Sequence, residues 1–271
     1  MAATACGVDK VQSVRTAIEL RTAREAEIRV RRAKAATIGH SHNRLLEFVK
    51  NDVSGRSKTR KYTFDEEMAF AAASCTRFMK SEGVNYSCDL MKVRRSISAQ
   101  VNIGLATVRA PRSDLSPGAI DYLAQIESAG AAAISASDFA SAGAAIAANA
   151  EAELAGDDLD AVLAAVALGD SSFTYWETQS NTFVADYVNN RGLGEPETVA
   201  GDPNSGLRVS ATVILTRPTS VRYGWFSGRA VANWDITGCI VATVFTGGGC
   251  LGGGGAASVA EAIFQILQHY T

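Results

Sequence analysis

The chain has 271 residues, 47% of them hydrophobic and 20% charged, so it can bury a sizeable core and is not a disordered polyampholyte. A net charge of -2 conceals a division: residues 1–112 carry 21 Lys+Arg against 11 Asp+Glu, and the remainder 5 against 17. Oppositely charged halves can pack on one another, and the basic half can also meet an anionic surface.

The N-terminus lacks a basic patch followed by an apolar stretch, so a secretory signal peptide is not expected and cytoplasmic synthesis is the default, leaving membrane association or a non-classical export route open. The five cysteines are widely spaced with no Cys-x-x-Cys, a pattern read here as reduced thiols.

Val11, Val14, Ile18 and Ile28 recur at helical spacing through 9–38, which predicts a long, solvated, charged helix. Arg21 and Glu25 interrupt its apolar stripe, against a sustained coiled coil. The stretch 51–61 reads as an exposed basic loop in which Arg56, Lys58, Arg60 and Lys61 are the candidate contacts to nucleic acid or anionic lipid. Aromatic residues for base stacking do not interleave with them.

Thr63-Phe-Asp-Glu66 is a capping box that should start a helix at Phe64, with Met68, Ala71, Cys75, Phe78 and Met79 on its apolar face and Gly83 at its end. Leu90, Val93, Ile97, Val101 and Leu105 predict a second amphipathic helix that pairs with the first. Ser116-Pro117 supplies an N-cap with proline in the first turn. From Ser128 to Leu168 alanine dominates, and Ser137-Asp138 and Asp157-Asp158 mark the starts of close-packed helices.

After Gly169 the composition shifts. Phe173, Tyr175 and Trp176 are strand-prone, 192–206 reads as a loop, and Val209, Ala211, Val213 and Leu215 alternate with polar residues, with 221–226 as a hairpin partner. The fold class expected is mainly α: helical over the first two-thirds, then a smaller α+β part that ends in a glycine-rich helical hairpin. Three regions follow from this: a basic helical 1–112, alanine-rich helices over 113–169, and a mixed 170–271.

Between Asp235 and Glu261 run 25 uncharged residues, 8 of them glycine. Gly238, Ala242, Thr246, Cys250, Gly254, Ser258 and Ala262 place a small residue at every fourth position, the spacing that brings helix backbones together, and Gly248, Gly252, Ala256 and Ala260 form a second series. A helical glycine costs about 1 kcal/mol relative to alanine, so a break is expected near Gly247 to Gly249 and two helices, Trp234 to Thr246 and Gly252 to Tyr270, should pair.

Catalytic, cofactor and metal signatures do not emerge. His40 and His42 would face one way only on a strand, and Asp157, Asp158 and Asp160 are explained by capping of a helix start. Gly247, Gly249 and Gly252 match a dinucleotide fingerprint literally, but only 16 residues follow Gly255, too few for the rest of that unit. His269 shows no evident partner and is expected to serve as a helix cap or at the surface, and no Gly-x-Ser-x-Gly elbow occurs.

The order Ser171-Ser172-Phe173-Thr174-Tyr175-Trp176, a short mixed segment and an Asp235-led glycine and alanine tail resembles a loose group of small uncharacterised bacterial proteins with glycine-zipper tails, some of them bacteriocin-like. The resemblance covers 171–271 and implies no catalytic residue. The expected function is therefore non-enzymatic: the tail mediates tight self-association or membrane insertion, with self, a helical partner or a membrane as partner. A structural or nucleic-acid-associated protein acting through the basic region is the alternative, and an enzyme of unknown type the third reading.

Overall fold

A computed structural model describes residues 5–54, 62–103, 114–191, 224–246 and 249–270. They form α1 (Ala5–Ser54), α2 (Phe64–Ser81), α3 (Leu90–Ile103), α4 (Pro117–Ala132), α5 (Ala136–Glu153), α6 (Gly156–Arg191), α7 (Gly228–Val241), a single π-helical turn (Ala242–Thr246) and α8 (Gly249–Tyr270).

Local chemistry sets most of the boundaries. Thr63 Oγ1 accepts from the Glu66 amide while the Glu66 carboxylate accepts from the Thr63 amide, so α2 begins where the capping box requires. Gly83, at φ +74, lets the chain turn away beyond α2. Ser116 caps α4 ahead of Pro117, and its own amide donates to Asp158 Oδ1, tying the start of α4 to α6. Ser135 caps α5, two residues before the expected Ser137, with Asp138 accepting from the Ile134 amide.

Residues 15–30 of α1 are largely exposed to solvent, Ile18, Leu20 and Val30 among them, while Leu45, Leu46 and Val49 near its other end are fully buried. Arg15, Arg21 and Arg24 pair with Glu19, Glu25 and Glu27 along the helix. At the point where α1 meets the bundle, Arg24 donates to the carbonyls of Glu151 and Leu154, and Arg31 and Lys34 both reach Asp160. Opposite-sign halves of the sequence thus meet inside one chain. Asp160, read as a helix-start residue, serves instead as this cross-helix anchor.

The expected α+β region is corrected by α6, which runs unbroken through the anticipated boundary at 170. Phe173, Tyr175 and Trp176 are helical, and no strand occurs among the described residues. Packing overrides their strand propensity: Phe173 stacks on Phe139 at 5.1 Å, and Trp176 meets Phe183 edge-on at the same separation. The loop over 192–206 and the strand from Val209 to Leu215 lie outside the described residues, as do Arg56, Lys58, Arg60 and Lys61. Of the expected hairpin partner, only Gly224, Trp225 and Phe226 are described, in a turn leading to α7.

The thiol reading is also corrected. Cys75 pairs with Cys88, and Cys239 with Cys250. Wide spacing in sequence did not prevent this, because the connector after α2 folds back along that helix and α8 packs back against α7.

Candidate functional site: the glycine hairpin and its buried polar root

The hairpin of α7 and α8 occupies the middle of the bundle, and α8 touches α1, α2, α3, α6 and α7. The turn falls where the glycine load demanded a break: the π-turn ends at Thr246, and Gly249 takes φ +72, a conformation that disfavours any side chain. Cys239 and Cys250 then bridge the arms close to this tip, their Cα atoms 4.0 Å apart.

Inside the hairpin the backbones meet directly. A Cβ added to Gly238 would lie 2.6 Å from Gly253 O, and one added to Gly253 would collide with Gly238 O and Ala242 Cβ. Gly254 is pressed between Asp235 O and Leu168, Gly255 against Leu45 and Gly252 against the Tyr86 ring. Gly254, Ser258 and Ala262 are buried, and Cys250 is 6% exposed. The series at every fourth residue is split by the turn, Gly238, Ala242 and Thr246 falling on one arm and Cys250, Gly254, Ser258 and Ala262 on the other. Thr246 closes the π-turn, and its side chain is outside the description. The reversal shifts the facing register, so Gly238 opposes Gly253 and Ala257 rather than Gly254.

Two charges border the uncharged run, and both are buried at the root of the hairpin. Asp235 Oδ2 accepts from Ser172 Oγ, from Ser258 Oγ at 3.1 Å and from Trp176 Nε1 at 3.3 Å, and it lies 3.2 Å from His42 Nε2. The nearby His42 Nδ1 faces Asn43 Oδ1 at 2.9 Å. With oxygen acceptors on both ring nitrogens, the geometry suits an imidazolium, although the Nε2 approach is an ion-pair contact rather than an aligned hydrogen bond. Burial pushes the Asp235 carboxyl above the ordinary range, against the opposing pull of His42, Ser172 and Ser258. For His42, burial opposes the charge, but Asp235 and Asn43 outweigh it and raise its pKa.

Glu261, the other bordering charge, stands 3.4 Å from Arg94 and accepts from Gln265 Nε2 at 3.1 Å. The Arg94 guanidinium covers the Phe264 ring and approaches Trp234 at 5.4 Å. Burial raises the Glu261 pKa, Gln265 and Arg94 oppose that rise, and the nearby Asp235 adds to it.

The residue types Ser, His and Asp invite comparison with a hydrolytic triad, but the geometry is different. Both serines donate to Asp235 and neither is hydrogen-bonded to His42, so the imidazole is not paired with a hydroxyl it could deprotonate. His42, Ser172, Asp235 and Ser258 are moreover entirely shielded from solvent. The arrangement anchors the hairpin to α1 and α6. Among the described residues, no group of three or more His, Cys, Asp or Glu could hold a metal ion, and helix α1 buries His42 while exposing His40.

Sequence reasoning missed this root. Its one local signal was that Asp235 interrupts an apolar helix and must find a partner if buried. No protein-family model, curated protein or solved structure matches the chain.

Proposed function

We propose that the protein is non-enzymatic and membrane-active, with the α7–α8 hairpin as its working element held in a closed form. The observation that carries this reading is the enclosure of the longest uncharged segment as a preformed hairpin, wrapped by α1, α2, α3 and α6 and tied at its root through Asp235 and Glu261. By length and composition α8 could cross a membrane, yet 83% of its apolar window is buried within the protein, as in the core helix of a soluble bundle. The uncharged parts of the arms reach only about 16 to 18 Å, roughly half of a bilayer core. Entry into one leaflet, with the hairpin intact, suits that length.

The test is incubation of the full chain with vesicles of phosphatidylethanolamine and phosphatidylglycerol enclosing a dye. Co-flotation and dye release are expected. Absence of both overturns the reading.

A second reading, self-association or partner binding through the basic N-terminal region, draws on the exposed stretch 15–30 of α1, where Ile18 is 60% and Leu20 67% exposed. The glutamates paired with Arg15, Arg21 and Arg24 favour a protein contact over nucleic acid there. Light scattering distinguishes the cases: an oligomer abolished by Ile18→Glu with Leu20→Glu supports this reading, and a monomer at all concentrations removes self-association.

A further inference from the structure

The connector between α2 and α3 lies across the first turns of α8. Val84, Tyr86 and Cys88 point inward, while Asn85, Ser87 and Asp89 are exposed, the alternation of a short extended strap. Its ends are fixed: the Val84 amide donates to Met79 O at 2.9 Å, the Cys88 amide donates to Thr76 Oγ1 at 3.0 Å, and Cys88 is disulfide-bonded to Cys75 in α2. Between these anchors the Tyr86 ring rests on Gly252, where an added Cβ would meet the ring at 2.9 Å. Gly252 to Gly255 carry no side chains of their own, so the cover over this turn is supplied by other elements, Tyr86 on one side and Leu45 and Leu168 on others.

We propose that the Cys75–Cys88 bridge is a redox-operated catch on the hairpin, and that its reduction by a dithiol frees the Tyr86 strap and uncovers residues 249–255. The proposal rests on the membrane-active reading for its purpose. A dithiol thiolate attacks one bridge sulfur, and the other sulfur leaves as a thiolate. The second dithiol sulfur then closes on the mixed disulfide, releasing the first cysteine thiolate, so that two protein thiols and one oxidised dithiol result. Cys88, between exposed Ser87 and Asp89 and 3% exposed itself, is the more reachable of the two sulfur-bearing residues. The Cys239–Cys250 bridge joins the two arms of the hairpin to each other and would travel with them. It does not oppose their release.

The test uses the full chain, oxidised or treated with dithiothreitol, and a Cys75→Ser, Cys88→Ser variant. Alkylation with mass detection counts the thiols, and hydrogen exchange follows the amides. Reduction and the double substitution are each expected to speed exchange over 249–255 at least tenfold while leaving α4 and α5 unchanged. Phosphatidylethanolamine and phosphatidylglycerol vesicles should release dye at least tenfold faster with the reduced protein. A bridge that is absent or that survives the dithiol, unchanged exchange over 249–255, or equal acceleration in α4 and α5 each overturns the catch. Should that variant not fold, a Cys239→Ser, Cys250→Ser chain, in which the Cys75–Cys88 bridge is the one the dithiol can open, decides by the same criteria. Faster exchange without any effect on vesicles upholds the catch and overturns the membrane-active reading.

Discussion

His42 Nε2 stands 3.2 Å from Asp235 Oδ2 with both side chains fully buried, joining the inner half of α1 to the root of the glycine hairpin. A buried pair of this kind costs desolvation and returns Coulomb energy, so its presence is weak evidence of added stability, whereas the loss of one partner is severe. Asp235→Ala would strand His42 and remove the acceptor for Ser172, Ser258 and Trp176. An unfolding free energy lower by about 3 to 5 kcal/mol is expected in urea titration, with a smaller loss for Asp235→Asn.

The same pair sets a pH dependence. His42 holds its proton in the folded chain above the ordinary imidazole value of 6.5, so on raising the pH the unfolded chain gives up its proton first. The folded state then binds more protons, and its stability falls with rising pH. This contribution is full below about 6.5 and is lost as the pH passes the raised folded value. The raised Glu261 value acts in the same direction from the ordinary carboxylate range upward. Thermal melts at increasing pH should fall from mildly acidic conditions onward, and His42→Gln should flatten the slope above 6.5.

Gly253→Ala tests the hairpin contact. Alanine favours an isolated helix by about 1 kcal/mol, but here its methyl group meets Gly238 O and Ala242 Cβ from the facing arm. Backbone cannot yield as a flexible side chain would, and overpacking of this kind costs about 1 to 3 kcal/mol. Net destabilisation in chemical denaturation is expected, and a stabilised protein would show that the arms are not in contact.

The bridge near the hairpin tip closes a short loop. Cys239→Ser together with Cys250→Ser is expected to lower stability by about 3 kcal/mol, the chain-entropy value for a loop of this size. Denaturation of the oxidised parent and the double variant measures it. Equal midpoints would mean that the bridge is not formed.

At α2, Thr63→Ala removes the side chain that accepts from the Glu66 amide. A loss of about 1 kcal/mol is expected. Thr63→Ser should retain most of it, as read from paired urea midpoints.

Helix content and punctuation were written locally. The capping box at Thr63, the Ser116-Pro117 start and the break near Gly249 each follow from a few adjacent residues, because caps and glycine conformations act within one turn. The hairpin itself was legible for the same reason: eight glycines cannot lie cheaply in one continuous helix. Local propensity misled at Phe173, Tyr175 and Trp176, whose bulk serves ring packing within and between helices as readily as it serves a sheet.

Tertiary structure alone decided which residues face each other. His42 and Asp235 are far apart in sequence, as are Ser172 and Ser258, and no periodicity identifies partners brought together by a bundle. Cys75 and Cys88 are only 13 positions apart, yet their pairing required the connector to fold back. The sequence by itself determined a helical chain with an uncharged, small-residue hairpin, since composition and spacing act along one helix. The fold determined that this hairpin is enclosed and rooted in buried charges, since enclosure depends on surfaces contributed by α1, α2, α3 and α6 together.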